Sequence, residues 1–221
     1  MTPSRAPILA QEVMARHDAL LASTGWPYGE PVAGATDLWT WLERNHCCNS
    51  LLWAEEDLAR RTTVADRDIA ANKRAIDRYN QARNDATERM DEILLLALGL
   101  VDADSARSAN PVVRSPESAR LNSETAGSMI DRLSILALKV NAMHAQTQRA
   151  DVDEAHVRAS GAKLAQLLQQ RRDLAACLDT LLAEVTTGRA CFKVYRQFKM
   201  YNDPLLNPEL VKEGSGPAAL P

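Results

Sequence analysis

The segment RNHCCNSLLWAEED, residues 44–57, contains a histidine, two asparagines, a tryptophan and three consecutive carboxylates. Such groups can transfer protons, hydrogen-bond a polar ligand and stack on a ring. A helical turn of about 100° per residue places most of them on one face. That face consists of His46, Asn49, Trp53, Glu56, Asp57 and Arg60. It is either a half-buried face satisfied by neighbouring helices or the wall of a ligand pocket, because a core face would be aliphatic and a solvated face would lack aromatic bulk.

A second anomaly lies in the next predicted helix, where apolar residues recur at alternating spacings of three and four from Ile69 to Ala97. This spacing is typical of a packing seam in a helix bundle, yet Arg83 occupies its centre. A polar stripe runs beside the seam and contains Lys73, Asp77, Asn80, Asn84, Glu88 and Asp91. Polar stripes are usually solvated, but the first three members flank the seam arginine and are equally candidates for binding a ligand.

A third seam, over residues 164–185, is also interrupted by an arginine, Arg171. A guanidinium cannot lose its proton to escape burial, so an inward arginine needs a carboxylate, a phosphate or water. We predict that Arg83 and Arg171 point inward and share an acidic or anionic partner. Asp131 and Asp77 are the nearest candidates within the protein.

The helix predicted over 123–149 supplies further candidates. Asp131 lies on the side of its apolar residues, whereas Arg132 and Lys139 form part of a narrow polar stripe and could contact a ligand. His144 has aliphatic neighbours on the helix and is interpreted as a core histidine.

The block FKVYRQFKMYNDPLLNP, residues 192–208, interleaves basic and aromatic side chains. Such a pattern can stack a nucleotide and contact its phosphates, or it can form an amphipathic last helix, predicted over 189–200, whose lysine stems cover the bundle. Asn-Asp-Pro predicts a turn, and we expect residues 199–203 to pack near Arg83. The candidate ligand contacts in this block are Lys199, Tyr201, Asn202 and Asp203.

Helical periodicity extends over almost the whole chain, which is rich in good helix formers. Helices are predicted over 8–22, 36–61, 65–99, 123–149, 152–187 and 189–200. Thr36 or Asp37 is expected to cap the second of them, after a loop rich in Gly and Pro. The predicted fold is an all-α, single-domain antiparallel bundle of about six helices with one long loop at 102–123. The domain covers residues 1–212, and a disordered tail follows at 213–221.

Composition narrows the choice of partner. A net charge of -3 and a pI of ≈ 5.8 lack the basic excess of nucleic-acid-binding proteins. No apolar run approaches the length of a membrane span. Four cysteines without a CxxC motif suit a reducing compartment, so the cytoplasm is the expected location. A small anionic molecule is the expected partner, whereas homo-oligomerisation and the identity of any cofactor are left open.

Three functional hypotheses follow. The first is a small-molecule enzyme or binder for an anionic, phosphorylated or nucleotide-activated substrate, held by the arginines with Lys73, Lys139 or Lys199. In that case Trp53 stacks on the ligand, and His46 or Asp131, with Glu56 and Asp57, are the catalytic candidates. The second hypothesis is a non-catalytic helical partner of an enzyme, in which the polar seams set packing specificity.

The third hypothesis is a metal-dependent enzyme. Glu56, Asp57, Glu88 and Asp91 could gather Mg²⁺ for pyrophosphate cleavage. Alternatively, two carboxylate-x-x-His pairs have the spacing used by di-iron bundles. Those pairs are Glu43 with His46 and Asp153 with His156.

Several blocks resemble, in order, the motifs of a bacterial helical family of unknown function, the DUF4254 family. They are NHCCNSLLWAEEDLAR, NKRAIDRYNQARND, ETAGSMIDRLSILALKV, QRRDL and VYRQFKMYNDPLLNP, and they span about residues 39–210. The resemblance implies a setting near glycosyltransferase and lipopolysaccharide-type genes but no established reaction. Under the second hypothesis it therefore implies that the protein is a non-catalytic partner of a glycosyltransferase-type enzyme. The matching positions are His46, Asn49, Trp53, Glu56, Asp57, Lys73, Asp77, Asn80, Arg83, Asp131, Arg132, Lys139, Arg171 and the 199–203 segment. The vicinal Cys47–Cys48 pair departs from the family pattern and is interpreted as two small core residues.

Overall fold

The structure, a computed structural model, describes residues 6–27, 37–196, 200 and 203–214. Its helices are α1 (Ala10–Leu21), α2 (Leu38–Ala59), α3 (Asp66–Ala97), α4 (Ala103–Ala106), α5 (Ala126–Thr147), α6 (Glu154–Thr186) and α7 (Pro208–Gly214). Two short parallel strands, β1 (Arg120–Leu121) and β2 (Ala190–Cys191), form the sheet of this part of the chain. The all-α prediction is confirmed. The proposed tail boundary falls inside α7, and residues 215–221 lie outside the described part.

The ends of the long helices are encoded locally. Asp37, Thr125 and Asp153 precede α2, α5 and α6, and each side chain accepts a hydrogen bond from a backbone N–H of the first turn. The predicted cap at Asp37 is thus confirmed. Helices α3 and α6 are followed by Gly99 and Gly188, whose φ angles of 69° and 71° favour glycine.

The helices pack as two hairpins around a shared core. Helix α2 packs along α3 and α5 packs along α6, while α1 lies against α5 and α6. Helix α5 also contacts α2 and α3, so it is central to the bundle. Its residues Ile130 and Leu133 are fully buried beside Leu42 of α2 and Leu178 of α6. A groove lies between α2, α3 and α5, and α5 forms its base.

Helices α3 and α5 are in close contact at Gly127. A Cβ there would lie 2.7 Å from the carbonyl oxygen of Thr87 and 2.8 Å from the carboxyl of Asp91. The Gly127 N–H instead donates to Asp91 Oδ1 at 2.6 Å. Burial raises the pKa of Asp91 to about 7, partly offset by hydrogen bonds from Thr125 and Gly127. Because this contact fixes one end of α5 on α3, it sets the spacing of the groove.

The predicted last helix over 189–200 is wrong. Residues 190–191 form β2 and residues 192–196 are extended. Phe192 and Val194 are buried while Tyr195 is 67% exposed, which is the two-residue alternation of an extended chain. Arg196 then holds this segment against α3 through ion pairs with Glu88 at 2.9 Å and Glu92 at 2.5 Å.

Cysteine burial supports the interpretation of the vicinal pair. Cys47 and Cys48 are both buried and unoxidised, and burial raises their pKa to about 11 and about 12. Cys191 is also buried, whereas Cys177 is exposed on α6. None of the helices in the described ranges is long and apolar enough to cross a membrane.

Candidate functional site

A cavity of about 310 Å³ lies between α2, α3 and α5, and we call it the Arg83 cavity. It is lined by Asn49, Leu52, Trp53, Glu56, Asp57, Arg60, Asn80, Arg83, Ile135 and Leu138. Six of these were predicted as site residues from helical spacing. Five residues of the α2 face predicted above, from Asn49 to Arg60, lie together on this one cavity. The polar face of α2 is therefore a cavity wall over its second half.

Arg83 is held in the cavity by Asp131 of α5. Its Nε lies 3.9 Å from Asp131 Oδ1, with side-chain exposures of 27% for the arginine and 16% for the carboxylate. This distance gives charge attraction without a hydrogen bond, and the buried Nε–H has no acceptor within the described residues. Arg83 thus points inward with Asp131 as its protein partner, as predicted, while the exposed part of its side chain lines the cavity.

Asp131 is fixed by two asparagines of α2. Asn45 Nδ2 donates to its Oδ1 at 2.8 Å, and Asn49 Nδ2 donates to the same oxygen at 2.9 Å. Asn45 also contacts the Thr87 hydroxyl of α3 at 3.2 Å. Three helices therefore meet at one carboxylate, which orients Arg83 from behind the cavity.

His46 lies deeper than the cavity, in a network of neutral polar groups. Its Nδ1 is 2.7 Å from Ser134 Oγ, and that oxygen accepts a hydrogen bond from Asn49 at 3.0 Å. The ring is stacked against His17 at 4.5 Å and Trp26 at 5.3 Å between centroids. The Ser134 hydroxyl, which accepts the hydrogen bond from Asn49, can donate its own proton to Nδ1 when the ring is protonated on Nε2.

The placement of His46 does not support its predicted role in proton transfer. Its side chain is 0% exposed and is absent from the cavity lining. Burial, followed by the charge of Arg171, lowers its pKa to about 4, so the ring is neutral at neutral pH. His46 is thus a buried positioning residue behind Asn49 and Asp131.

His17 of α1 belongs to the same buried cluster and was missed in the sequence. It is 0% exposed, its ring nitrogens have no hydrogen-bond partner in the described structure, and burial lowers its pKa well below the usual value. A signal was available, because Ala10, Val13, His17 and Leu20 follow the 3-4-3 spacing of a buried helix face. That pattern would have marked His17 as a core residue.

The model of one protein family covers most of the chain, including the residues around this cavity. The family model described as "Protein of unknown function (DUF4254)" matches residues 39–194. The chain belongs to the DUF4254 family. No curated protein and no solved structure matches the chain. The DUF4254 region contains every residue that lines the Arg83 cavity, whereas His17 lies before it.

Arg171 lies elsewhere in the DUF4254 bundle, so the prediction of a shared partner for the two arginines is wrong. Its Nη1 is 2.9 Å from Asp18 of α1, and its Nη2 donates to the Met14 carbonyl at 3.1 Å. It lines a separate cavity with Asp18 and His144. Helix α1 covers this part of α6, which the spacing on α6 alone could not show. His144, interpreted as a core residue, is exposed.

Four other predicted ligand contacts lie outside the Arg83 cavity. Lys73 and Asp77 form an exposed ion pair with each other on α3. Arg132 pairs with Glu124 at 2.7 Å and lines another cavity, of about 590 Å³. Lys139 lines that cavity and also a further one, which it shares with Trp53. The stripe beside the α3 seam thus divides, since Lys73 and Asp77 face solvent, Asn80 faces the cavity and Asp91 is buried.

The C-terminal candidates are only partly described. Lys199, Tyr201 and Asn202 lie outside the described residues. The Asp203 carboxylate accepts a hydrogen bond from the Leu205 N–H at 2.8 Å and so stabilises a turn, as Asn-Asp-Pro predicted.

Neither predicted metal-ligand set comes together. Among the residues that the structure describes, no group of three His, Cys, Asp or Glu side chains could hold a metal ion. Glu43 pairs with Arg16, and Asp153 caps α6, so neither joins the buried His46. His156 contacts Gln146. In the magnesium set, Glu88 binds Arg196 and Asp91 binds the α5 N-terminus, so both are committed away from Glu56 and Asp57.

Proposed function

We propose that the protein binds a small anionic molecule, of the phosphorylated or nucleotide-activated kind, in the Arg83 cavity. The observation that carries this proposal is the convergence of six independently predicted residues, from two helices, on one cavity. Its volume of about 310 Å³ falls within the range of small-molecule sites, roughly 300–1,000 Å³.

The lining supports recognition of a ligand with both polar and apolar parts. The Arg83 guanidinium, whose side chain is 27% exposed, and the Asn80 amide supply hydrogen bonds, and the indole of Trp53, 37% exposed, offers a surface for stacking. Leu52 and Leu138 supply apolar contact beside them. A ring that carries hydroxyl groups satisfies both kinds of surface.

Catalysis is a further part of this proposal. Glu56 and Asp57 are exposed carboxylates on the cavity wall, so they can reach a bound ligand and accept a proton from it. Asp131 acts through Arg83. A role in glycoconjugate or secondary metabolism is proposed from the family resemblance.

The test is ligand binding by an Arg83→Met variant. We expect phosphorylated sugars and nucleotides to raise the thermal midpoint of the wild-type protein and to bind at least about tenfold more weakly to the variant, because a charged hydrogen bond is lost. Arg74→Met is the matched control, since Arg74 is exposed on the same helix. Equal binding by the two variants would contradict the proposed site.

A second candidate is a non-catalytic partner of a glycosyltransferase-type enzyme. It is favoured by exposed apolar side chains near the C-terminus, where Leu205 is 84% and Leu206 is 53% exposed. In this case no phosphorylated compound should bind, and Leu205→Ser with Leu206→Ser should weaken co-elution with a purified glycosyltransferase-type enzyme. Ligand binding that depends on Arg83 would favour the first candidate instead.

A further inference from the structure

The cations of the Arg83 cavity are already balanced by carboxylates. Arg60 lies 3.2 Å from Glu56, and Arg83 lies 3.9 Å from Asp131. Asp57 lines the same cavity and adds a third negative charge. A phosphate placed there would meet two carboxylates on the lining, with Asp131 behind Arg83 as another negative charge, against two guanidinium groups. This cavity therefore suits hydroxyl and amide groups better than a full anion.

The cavity that Lys139 shares with Trp53 has a volume of about 400 Å³ and adjoins the Arg83 cavity at Trp53. We call it the Lys139 cavity. Trp53 lines both cavities. Apolar side chains of α5 and α6, including Met143 and Leu167, line it together with Lys139 and Lys163. Its described lining contains three glutamines and no acidic residue.

The lysines of this cavity have no ion-pair partner among the described residues. Lys73 and Lys212, by contrast, both form ion pairs. Two ammonium groups from different helices beside one cavity attract an anion, and no carboxylate on the described lining of this cavity competes for them. Carboxylates near Lys139 line the cavity of about 590 Å³ on its other side, where Glu124 is paired with Arg132 and Asp173 is exposed.

We propose that one ligand spans both cavities, with its anionic group bound by Lys139 and Lys163 and its polar ring in the Arg83 cavity. The inference rests on the proposed function and decides which way the ligand lies. Trp53 contacts the ligand where it passes between the cavities. The shared chemistry is a phosphate joined to a hydroxyl-bearing ring, which a hexose phosphate and a nucleotide both offer.

The experiment measures what the phosphate contributes to binding in each variant. Isothermal titration compares glucose 1-phosphate with methyl glucoside, and uridine diphosphate with uridine, so that each pair differs in its phosphate. The proteins are wild type, Arg83→Met and the double variant Lys139→Gln with Lys163→Gln. Lys193→Gln is the control, because Lys193 is exposed on the segment after β2. Exposed lysines contribute little to folding, and thermal midpoints check this for each variant.

We expect the phosphorylated member of one pair to bind wild type at least about tenfold more tightly than its neutral analogue. This advantage should disappear in the double lysine variant and persist in Lys193→Gln and Arg83→Met. The pair that shows it identifies the ring as a hexose or a nucleoside.

Two results would overturn the inference, and they are distinguishable. If the advantage is lost in Arg83→Met and kept in the lysine variant, the anion lies at Arg83, and the proposed function stands without this orientation. If no phosphorylated probe binds wild type at millimolar concentration, the proposed function fails and the inference fails with it.

Discussion

The two halves of helix α2 carry polar residues on the same face but use them differently. Residues 45–50 are all buried, and their polar members, Asn45, His46, Asn49 and Ser50, are neutral. Residues 56–60 carry Glu56, Asp57 and Arg60, which are ionised and exposed. Ionised groups lose more solvation on burial than neutral amides and hydroxyls do. The change from neutral to charged residues along α2 therefore follows the access of water to the groove.

Asp131 of α5 is an exception to this rule, because it is charged and yet contacts the buried half of α2. It is the carboxylate on which Asn45, Asn49 and Arg83 converge, although its side chain is only 16% exposed. A buried charge is tolerated when its partners satisfy it, so the closed half of α2 depends on this one side chain. The comparison predicts that equivalent substitutions in the two halves have unequal effects.

The largest expected effect is that of Asp131→Leu. It leaves the Asn45 and Asn49 amides without their shared acceptor and Arg83 without its counter-charge, so we expect the free energy of unfolding to fall by about 3–5 kcal/mol. Urea denaturation measures it. Asp57→Leu is the control from the open half and should change the free energy of unfolding by less than about 0.5 kcal/mol. Similar losses for the two variants would contradict the distinction between the halves.

The next effect is a loss of stability in acid caused by His46. Its pKa is about 4 in the folded protein and 6.5 when unperturbed, so the unfolded state binds more protons between these values. Stability should therefore fall as the pH drops from about 6.5 to 4, by about 3 kcal/mol at most. Chemical denaturation at each pH measures it.

Asp91 opposes this effect and must be removed to see it clearly. Its pKa of about 7 lies above the unperturbed 3.8, so the folded state binds more protons and stability falls as the pH rises through this range. The measurement is therefore made in an Asp91→Asn background. His144→Gln, at an exposed site, should leave the acid branch unchanged, whereas His46→Gln should reduce it. The part that remains belongs to His17, whose pKa is also lowered by burial. An acid branch of unchanged size in His46→Gln would assign the whole effect to another group.

The smallest effect is expected for the exposed Lys73–Asp77 pair of α3. Its members are 67% and 58% exposed and four residues apart, so a double-mutant cycle with alanine should give a coupling of about 0.3–0.5 kcal/mol that salt abolishes. A coupling above about 1 kcal/mol would show that this stripe contributes to the fold after all.

Helical spacing predicted the cavity wall because the wall is a property of single helices. Asn49, Trp53 and Glu56 share a face whatever surrounds them, and Asp131 lies on the same side of α5 as Ile135 and Leu138. Spacing does not reveal how many neighbours enclose a helix. Because neighbouring helices enclose the first half of α2, His46 is buried in a polar network, although it lies on the helix face predicted to line a pocket.

Partners distant in sequence were beyond the reach of this reasoning. Arg171 and Asp18 are 153 residues apart, and only the position of α1 against α6 brings them together. The extended segment at 192–196 was missed for a different reason. Its basic and aromatic residues were interpreted as a helical face, while the alternation of buried Phe192 and Val194 with exposed neighbours indicated an extended chain.

The burial of the cysteines makes the protein convenient for site-directed labelling. Cys47 and Cys48 are buried with raised pKa values, Cys191 is buried, and Cys177 alone among the four is exposed. A maleimide dye should therefore attach to Cys177 in the unmodified protein, because thiol reactivity requires access and a thiolate. Cys177 and Lys139 both line the cavity of about 590 Å³, so a fluorophore on Cys177 would report the arrival of a ligand without any engineered substitution.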